Sequence, residues 1–149
     1  MKTRPTRPSA PMRETGTVRE EARDTPILTE TDVVVCGGGP AGIGAALAAA
    51  RNGARTLVLE DQICLGGMAT SGMLNRLGPY HDQREMIVGG IPMEILRTLV
   101  QRGMAKEPHP CSPDVVENYC VAFVPEAMKL MLDEKVEAAG DEVRFKPLV

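Results

Sequence analysis

The sequence predicts an α/β fold with a parallel sheet, because short aliphatic runs alternate with stretches of helical character. The runs Val33–Cys36 and Thr56–Leu59 lack polar alternation, which is typical of strands buried on both faces. Between them lies Ile43–Arg51, which is rich in alanine, the strongest helix former. Strand, helix and strand in about thirty residues indicate a βαβ unit with two parallel strands.

Size and composition indicate a globular chain of one domain at most. The chain has 149 residues, of which 43% are hydrophobic, and its formal net charge is -3. A nucleic-acid-binding protein would usually be clearly basic, so we expect no nucleic-acid partner.

The cysteines and the hydropathy pattern predict a cytoplasmic protein with no membrane segment. No two of the four cysteines form a C-x-x-C pair and no histidine pair has metal-ligand spacing, which argues against a zinc site. Reduced thiols are the expected state. No apolar run is long enough to span a bilayer, and no apolar stretch follows the basic N-terminus as in a secretory signal.

The second half of the chain predicts two helices and a third strand. A helix begins near Pro92 with apolar residues on one face and ends at Gly103. A second helix spans Pro125–Ala139, with Gly140 as its cap, and Val143–Phe145 follows as a strand. Residues 61–90 and 104–124 are predicted to be mostly loop, with a strand near 119–124.

The two ends of the chain lead to separate expectations. Residues 1–29 are predicted to be a mostly disordered leader, because prolines and unpaired basic residues punctuate its first part. These basic residues form a solvated tail or, as an alternative, bind phosphate. Residues 30–149 are predicted to be one domain. Three strands are fewer than a doubly wound sheet needs, so the sequence predicts an incomplete, truncated domain.

A glycine-rich turn joins the first strand to the first helix. In the spacing G-x-G-x-x-G, Gly37 permits a sharp turn, Gly39 leaves room for a pyrophosphate, and Gly42 lets the helix lie close to the strand. Pro40 fits the first helical position, and Ala41 follows it in the turn. The free amides and the positive dipole end of the helix then face the phosphates.

Glu60 closes the second strand about twenty residues further on, where a ribose-binding acid is expected. Its carboxylate can accept hydrogen bonds from both ribose hydroxyls, and its charge would repel the 2′-phosphate of NADP. Together with the glycine turn, Glu60 predicts a Rossmann-like dinucleotide site. The alternative is a glycine turn used only for tight packing.

Several segments resemble a known family, the FAD-dependent oxidoreductases of the glutathione-reductase-like and fumarate-reductase-like flavoproteins. The resemblance covers nearly everything after Val18, and its most specific part is the run Cys64–Thr70. The other matching segments are Arg19–Thr29, Asp32–Glu60, Val88–Pro92 and Pro125–Glu134. The resemblance implies FAD as the cofactor.

In members of that family, a glycine pair after the ribose-binding acid runs past the pyrophosphate and ribityl chain of FAD. The resemblance therefore assigns Gly66, Gly67, Met68, Ala69 and Thr70 to the flavin side. Paired glycines let the backbone approach a ligand closely, and the Thr70 hydroxyl can bond to a phosphate or ribityl oxygen. A plain flexible loop is the alternative.

Candidates for direct chemistry are few, because a flavin carries its own reactive centre. Cys64 lies beside the flavin segment as a candidate redox thiol or tether, with an inert packed thiol as the alternative. His81 is a candidate to donate a proton or to stabilise a reduced flavin, with an ordinary surface-loop histidine as the alternative.

The sequence therefore supports a flavoenzyme that moves a hydride or electrons between FAD and an unidentified small organic substrate. One alternative is a truncated or non-catalytic fragment, or a subunit whose FAD site a second chain completes. Family members close that site with a later Gly-Asp segment and add a substrate domain, and neither is present in this sequence. A less favoured alternative is an NAD-binding dehydrogenase domain, which would not need the glycine pair after Glu60.

Overall fold

A computed structural model describes residues 16–17, 21–22, 24–82, 84–106 and 120–146. Within these residues, three helices and five strands are formed, together with a 3-10 turn at Gly67–Ala69. In chain order they are β1 (Val33–Cys36), α1 (Pro40–Arg51), β2 (Thr56–Glu60), β3 (Arg76–Leu77), α2 (Gly90–Gln101), β4 (Val121–Ala122), α3 (Pro125–Ala139) and β5 (Glu142–Phe145).

The main sheet is parallel and has the strand order β1-β2-β5. Val33 pairs with Thr56 at the start of the first ladder, and Glu60 pairs with Phe145 at the end of the second. The predicted α/β fold and its βαβ unit are thus confirmed. All three strands end at one edge of the sheet, where the turn into α1 also lies.

Helices α1 and α3 pack against each other and against one face of this sheet. Val35 and Val58 on that face join Leu47 of α1 and Met131 of α3 in the main hydrophobic core. The opposite face is open at β1, where Val34 is 51% exposed. The expectation that β1 is buried on both faces is therefore wrong, because both helices lie on the same side.

Residues 24–31 run beside that open face and line a wide groove there with Val34, Leu57 and Leu59. Residues 24–29 belong to the predicted leader, and the structure places them in neither a helix nor a strand. Most of the remaining leader, residues 1–15, 18–20 and 23, lies outside the described residues.

A second, two-stranded antiparallel sheet pairs β3 with β4. Sequence analysis missed β3 inside the predicted loop and placed a longer strand near 119–124, of which Val121–Ala122 is observed; residue 119 lies outside the described part. Phe123 continues the pairing as an isolated bridge to Ala105. Strands of two residues show no periodicity, so only their partners define them.

Proline and glycine set the helix ends much as the sequence indicated. Pro40 and Pro125 occupy the first turns of α1 and α3, and Gly140 ends α3 with a left-handed φ of 80°. Helix α2 begins at Gly90, two residues earlier than predicted, because Gly89 serves as its N-cap in an extended conformation.

In the part of the chain that the structure describes, no helix is long and apolar enough to cross a membrane.

Candidate functional site

The candidate site lies at the carboxyl edge of the main sheet, where the chain turns from β1 into α1. Gly37 has a φ of 100°, a left-handed value that disfavours a side chain. Its amide donates to the carbonyl of Leu59 at 2.7 Å, which ties the start of the turn to β2.

Gly42 brings α1 onto the turn. An ideal Cβ atom at this position would lie 1.8 Å from the Gly37 carbonyl oxygen and 3.4 Å from Val35 Cγ1. The first contact is far inside van der Waals range and involves backbone, so the close approach of helix and strand requires glycine here.

Unlike Gly42, Gly39 is not required for packing, because no described heavy atom lies within 4 Å of a Cβ atom built at this position. Its φ of -68° and ψ of -178° suit any residue. The space beside Gly39 is continuous with the start of α1, where the amides of Ala41 and Gly42 have no carbonyl one turn earlier. Pro40 contributes no amide.

Glu60 is the charged group at the end of β2 and is only 5% exposed. One carboxylate oxygen accepts the Gly38 amide at 2.5 Å, and the other accepts the Gln62 amide at 2.6 Å. The two amides fix the orientation of the carboxylate beside the glycine turn while leaving lone pairs for other donors.

Gly38 is a site residue that the G-x-G-x-x-G pattern did not single out. A Cβ at Gly38 would lie 2.5 Å from Leu65 Cδ2 and 3.0 Å from a carboxylate oxygen of Glu60. The only sequence signal was the run of three consecutive glycines, one more than the pattern needs.

The second glycine segment packs directly on the first. The Gly66 amide donates to the Gly38 carbonyl at 2.8 Å. A Cβ at Gly67 would lie 3.0 Å from Gly39 Cα. The structure therefore brings together the two glycine segments that sequence analysis assigned to one cofactor.

The residues after the glycine pair differ in their exposure. Met68 is 61% exposed, whereas Ala69 and Thr70 are buried. The Thr70 hydroxyl donates to the Leu65 carbonyl at 2.6 Å. Its proton is thus used to close the loop that carries Gly66, and its predicted bond to the cofactor stays a prediction.

Cys64 lies half-buried in the same loop, with its Sγ atom 3.2 Å from the Ser71 hydroxyl oxygen. The role of redox thiol or tether that the sequence suggested for Cys64 stays a prediction.

His81 is 3% exposed, so the alternative of a surface-loop histidine is wrong. His81 forms an isolated β-bridge with Met86 across a tight turn. In this turn, the Asp82 carboxylate accepts hydrogen bonds from the backbone amides of Arg84 and Glu85 at 2.9 Å. These amides lower the pKa of the Asp82 carboxyl.

An apolar cavity of about 100 Å³ separates the glycine segments from α2. Tyr80 forms part of its wall, and burial raises the pKa of the Tyr80 phenol. The cavity also contacts both glycine segments, through Pro40 and Gly66.

The geometry as a whole fits the adenine-nucleotide half of a dinucleotide. An open helix start offers backbone amides to a diphosphate, and a buried, oriented carboxylate lies one strand away for a ribose. A parallel α/β fold with these groups at the carboxyl edge of its sheet is typical of a Rossmann-like dinucleotide-binding protein.

Comparison of the sequence with known protein families identifies the family to which the chain belongs. Residues 32–149 match the family described as FAD dependent oxidoreductase, and the chain belongs to that family. Its cofactor is FAD, as the sequence predicted.

Solved structures with a similar fold include three chains that are each longer than this one. NikD, described as an unusual amino acid oxidase of nikkomycin biosynthesis, is 16% identical with a TM-score of 0.50, over 78% of this chain and 43% of its own. THI4 from Thermovibrio ammonificans is 24% identical with a TM-score of 0.48, over 77% and 38%. A 3-ketosteroid dehydrogenase from Rhodococcus jostii is 20% identical with a TM-score of 0.47, over 82% and 39%. The chain thus spans less than half of each, and the NikD likeness supports the fold alone.

Proposed function

We propose that this chain forms the FAD-binding portion of an oxidoreductase that moves a hydride or electrons between FAD and a small organic substrate. The bound flavin would supply the redox chemistry, and the polypeptide would supply position and electrostatics. Family membership supports the redox class, and the site supports the binding role.

The observation that carries the proposal is the open space beside Gly39 at the start of α1. A glycine there is required neither by its backbone angles nor by any described neighbour. The absence of a side chain is explained if a diphosphate occupies that space and accepts the amides of Gly39, Ala41 and Gly42.

Glu60 would hold the adjoining ribose through the lone pairs that Gly38 and Gln62 do not use. A carboxylate already fixed by two amides loses little freedom on binding, which favours affinity. Gly66, Gly67 and Met68 would follow the diphosphate toward the flavin, with Ala69 and Thr70 supporting that loop.

We also propose that further polypeptide, from a longer chain or a second subunit, completes the FAD site and forms the substrate pocket. Three apolar side chains within residues 63–73 support this, since Ile63, Met68 and Met73 are 77%, 61% and 65% exposed. Several exposed apolar residues in one short segment favour a surface that contacts a partner.

Substitution of Gly39 by valine tests the proposal. We expect the wild-type chain to bind FAD, and G39V to keep its fold by circular dichroism while losing at least about tenfold in FAD affinity, because the side chain fills the diphosphate space. The matched control is G44A in the same helix, where a Cβ contacts no described atom and lies away from the turn. Equal FAD affinity of G39V and the wild type would contradict the proposal.

A further inference from the structure

The apolar cavity between the helices borders the segment that sequence analysis assigned to the flavin side. Its volume is about 100 Å³, and Ile43 of α1, Ile95 of α2 and Leu132 of α3 each form part of its wall. Gly66 and Ala69 of the flavin segment also line it. The cavity is therefore enclosed by all three helices and by the second glycine segment.

The walls of the cavity offer few hydrogen-bond partners to a water molecule. Of the described residues that line it, only Tyr80 has a polar side chain, and its hydroxyl donates to the Pro92 carbonyl at 3.4 Å. The Gly66 amide donates to the Gly38 carbonyl at 2.8 Å, and the Gly66 carbonyl accepts the Ala69 amide at 3.1 Å. A buried water makes about two to four hydrogen bonds, so this space favours an apolar occupant.

The size of the cavity restricts its occupant to a small molecule. An apolar cavity of about 150 Å³ stays dry and binds xenon or benzene, and this one is smaller. A larger carbon skeleton would have to displace the side chains of Ile43 and Leu132, which are 1% and 3% exposed. Because protein interiors are close-packed, such a displacement is unfavourable. A molecule of two or three atoms fits without it.

We propose that this cavity is a binding site for dioxygen, which is held there by dispersion contacts with no covalent step. Dioxygen is small and apolar, as the walls require. It is also able to accept electrons, which suits a site that borders the flavin segment of a chain in an oxidoreductase family. The binding uses neither the space beside Gly39 nor the Glu60 carboxylate, so it goes beyond the proposed function and is testable without FAD.

Methyl relaxation tests the site directly, because dioxygen is paramagnetic and speeds the relaxation of nuclei beside it. Met128 lines the cavity, whereas Met131, one turn further along α3, does not. Their side chains are 3% and 0% exposed, so both are shielded from dioxygen in the solvent. Under dioxygen pressure, with nitrogen at the same pressure as the reference, we expect the methyl relaxation rate of Met128 to rise at least about twofold more than that of Met131. The volume-conserving variants M128L and M131L assign the two signals.

Filling the cavity should remove this difference. Ile95 forms part of the wall on α2, and phenylalanine at this position adds volume to it. We expect I95F to reduce the dioxygen effect on Met128 to the level of Met131. The control is L130F, which introduces the same ring at a position on α3 that is 59% exposed and does not line the cavity. It should leave the effect unchanged, and thermal unfolding shows whether each variant is folded.

The outcomes separate this inference from the proposed function. Equal dioxygen effects on Met128 and Met131 in the wild type would overturn the dioxygen site, whether or not I95F folds. A folded I95F in which Met128 responds as in the wild type would also overturn it. Failure of the wild-type chain to bind FAD would count against the proposed function and leave the relaxation result standing.

Discussion

The Gly37 carbonyl oxygen lies 1.8 Å from where a Cβ atom of residue Gly42 would be. The glycine-rich turn after β1 and the first turn of α1 are therefore in close backbone contact. This contact fixes the distance between the N-terminus of α1 and the carboxyl edge of the sheet. Gly39 sits between the two residues and takes its position from them.

Substitution of Gly42 by alanine should destabilise the fold by about 3 kcal/mol, at the upper end of the usual overpacking cost, because the new Cβ would meet backbone atoms of Gly37, which cannot rotate away. Urea unfolding of G42A and the wild type measures the difference. A loss below about 1 kcal/mol would show that α1 can move away from the turn.

Substitution of Gly44 by alanine should have the opposite sign. Gly44 lies two residues further along α1, and a Cβ there meets no described atom within 4 Å. Glycine within a helix costs about 1 kcal/mol relative to alanine, so G44A should be more stable by up to that amount. The same urea titration measures it, and a destabilised G44A would contradict this expectation.

Substitution of Thr70 by valine should lower the free energy of unfolding by about 1–3 kcal/mol. Valine keeps the shape but leaves the buried Leu65 carbonyl without the hydroxyl that it accepts at 2.6 Å. T70S retains a hydroxyl and should recover most of the loss. If T70V and T70S unfold at the same urea concentration, the hydrogen bond contributes little.

Substitution of Glu60 by glutamine should alter nucleotide selectivity. The Gly38 and Gln62 amides donate to different oxygens of the Glu60 carboxylate. In a carboxamide of the same orientation, one of these oxygens is replaced by an NH₂ group that cannot accept. We expect ADP affinity to fall about tenfold, and the preference for ADP over 2′-phospho-ADP to narrow because the repelling charge is gone. Isothermal titration calorimetry with both nucleotides measures this. An unchanged preference would remove Glu60 from the ribose site.

Asp141, between α3 and β5, should make stability depend on pH. Burial raises the pKa of its carboxyl, and the nearby Thr56 hydroxyl, whose proton is donated to the Ala54 carbonyl at 3.2 Å, offsets only part of this effect. Because the pKa of Asp141 is raised in the folded state, folding favours the neutral acid. The contribution of Asp141 to stability is therefore complete below its ordinary pKa of 3.8, and it is lost as the pH rises through the pKa of the folded state.

The D141N variant, which is neutral throughout, should therefore have a higher Tm than the wild type at pH 7. The gap should shrink as the pH approaches about 4, where the wild-type acid regains its proton. Thermal unfolding across this range checks the trend, with D61N at an exposed position as the control. If the difference in Tm between D141N and the wild type were the same at every pH, titration of Asp141 would be excluded as the cause of that difference.

The sequence predicted the elements that local signals define. Pro125 and Gly140 mark both ends of α3, and the aliphatic runs of β1 and β2 lie where they were expected. The sequence did not predict that one face of β1 is exposed. The four aliphatic and cysteine residues of β1 indicate a strand, but they do not show whether helices pack on one face of the sheet or on both.

The candidate site was predictable where spacing alone defines it, as at Gly39 and Gly42. The constraint on Gly38 comes from Leu65 and Glu60, which lie far along the chain. The burial of His81 likewise has no signal in the surrounding loop sequence. Contacts of this kind appear only when the chain is folded.

The junction of the two glycine segments is made by main-chain atoms, through the Gly66 amide and the Gly38 carbonyl. Main-chain groups are the same in every residue type, so this junction does not depend on the identity of nearby surface side chains. Substitution of the exposed side chain of Ile63 should therefore leave this junction unchanged, so the surface around it can vary in sequence while the two glycine segments stay together.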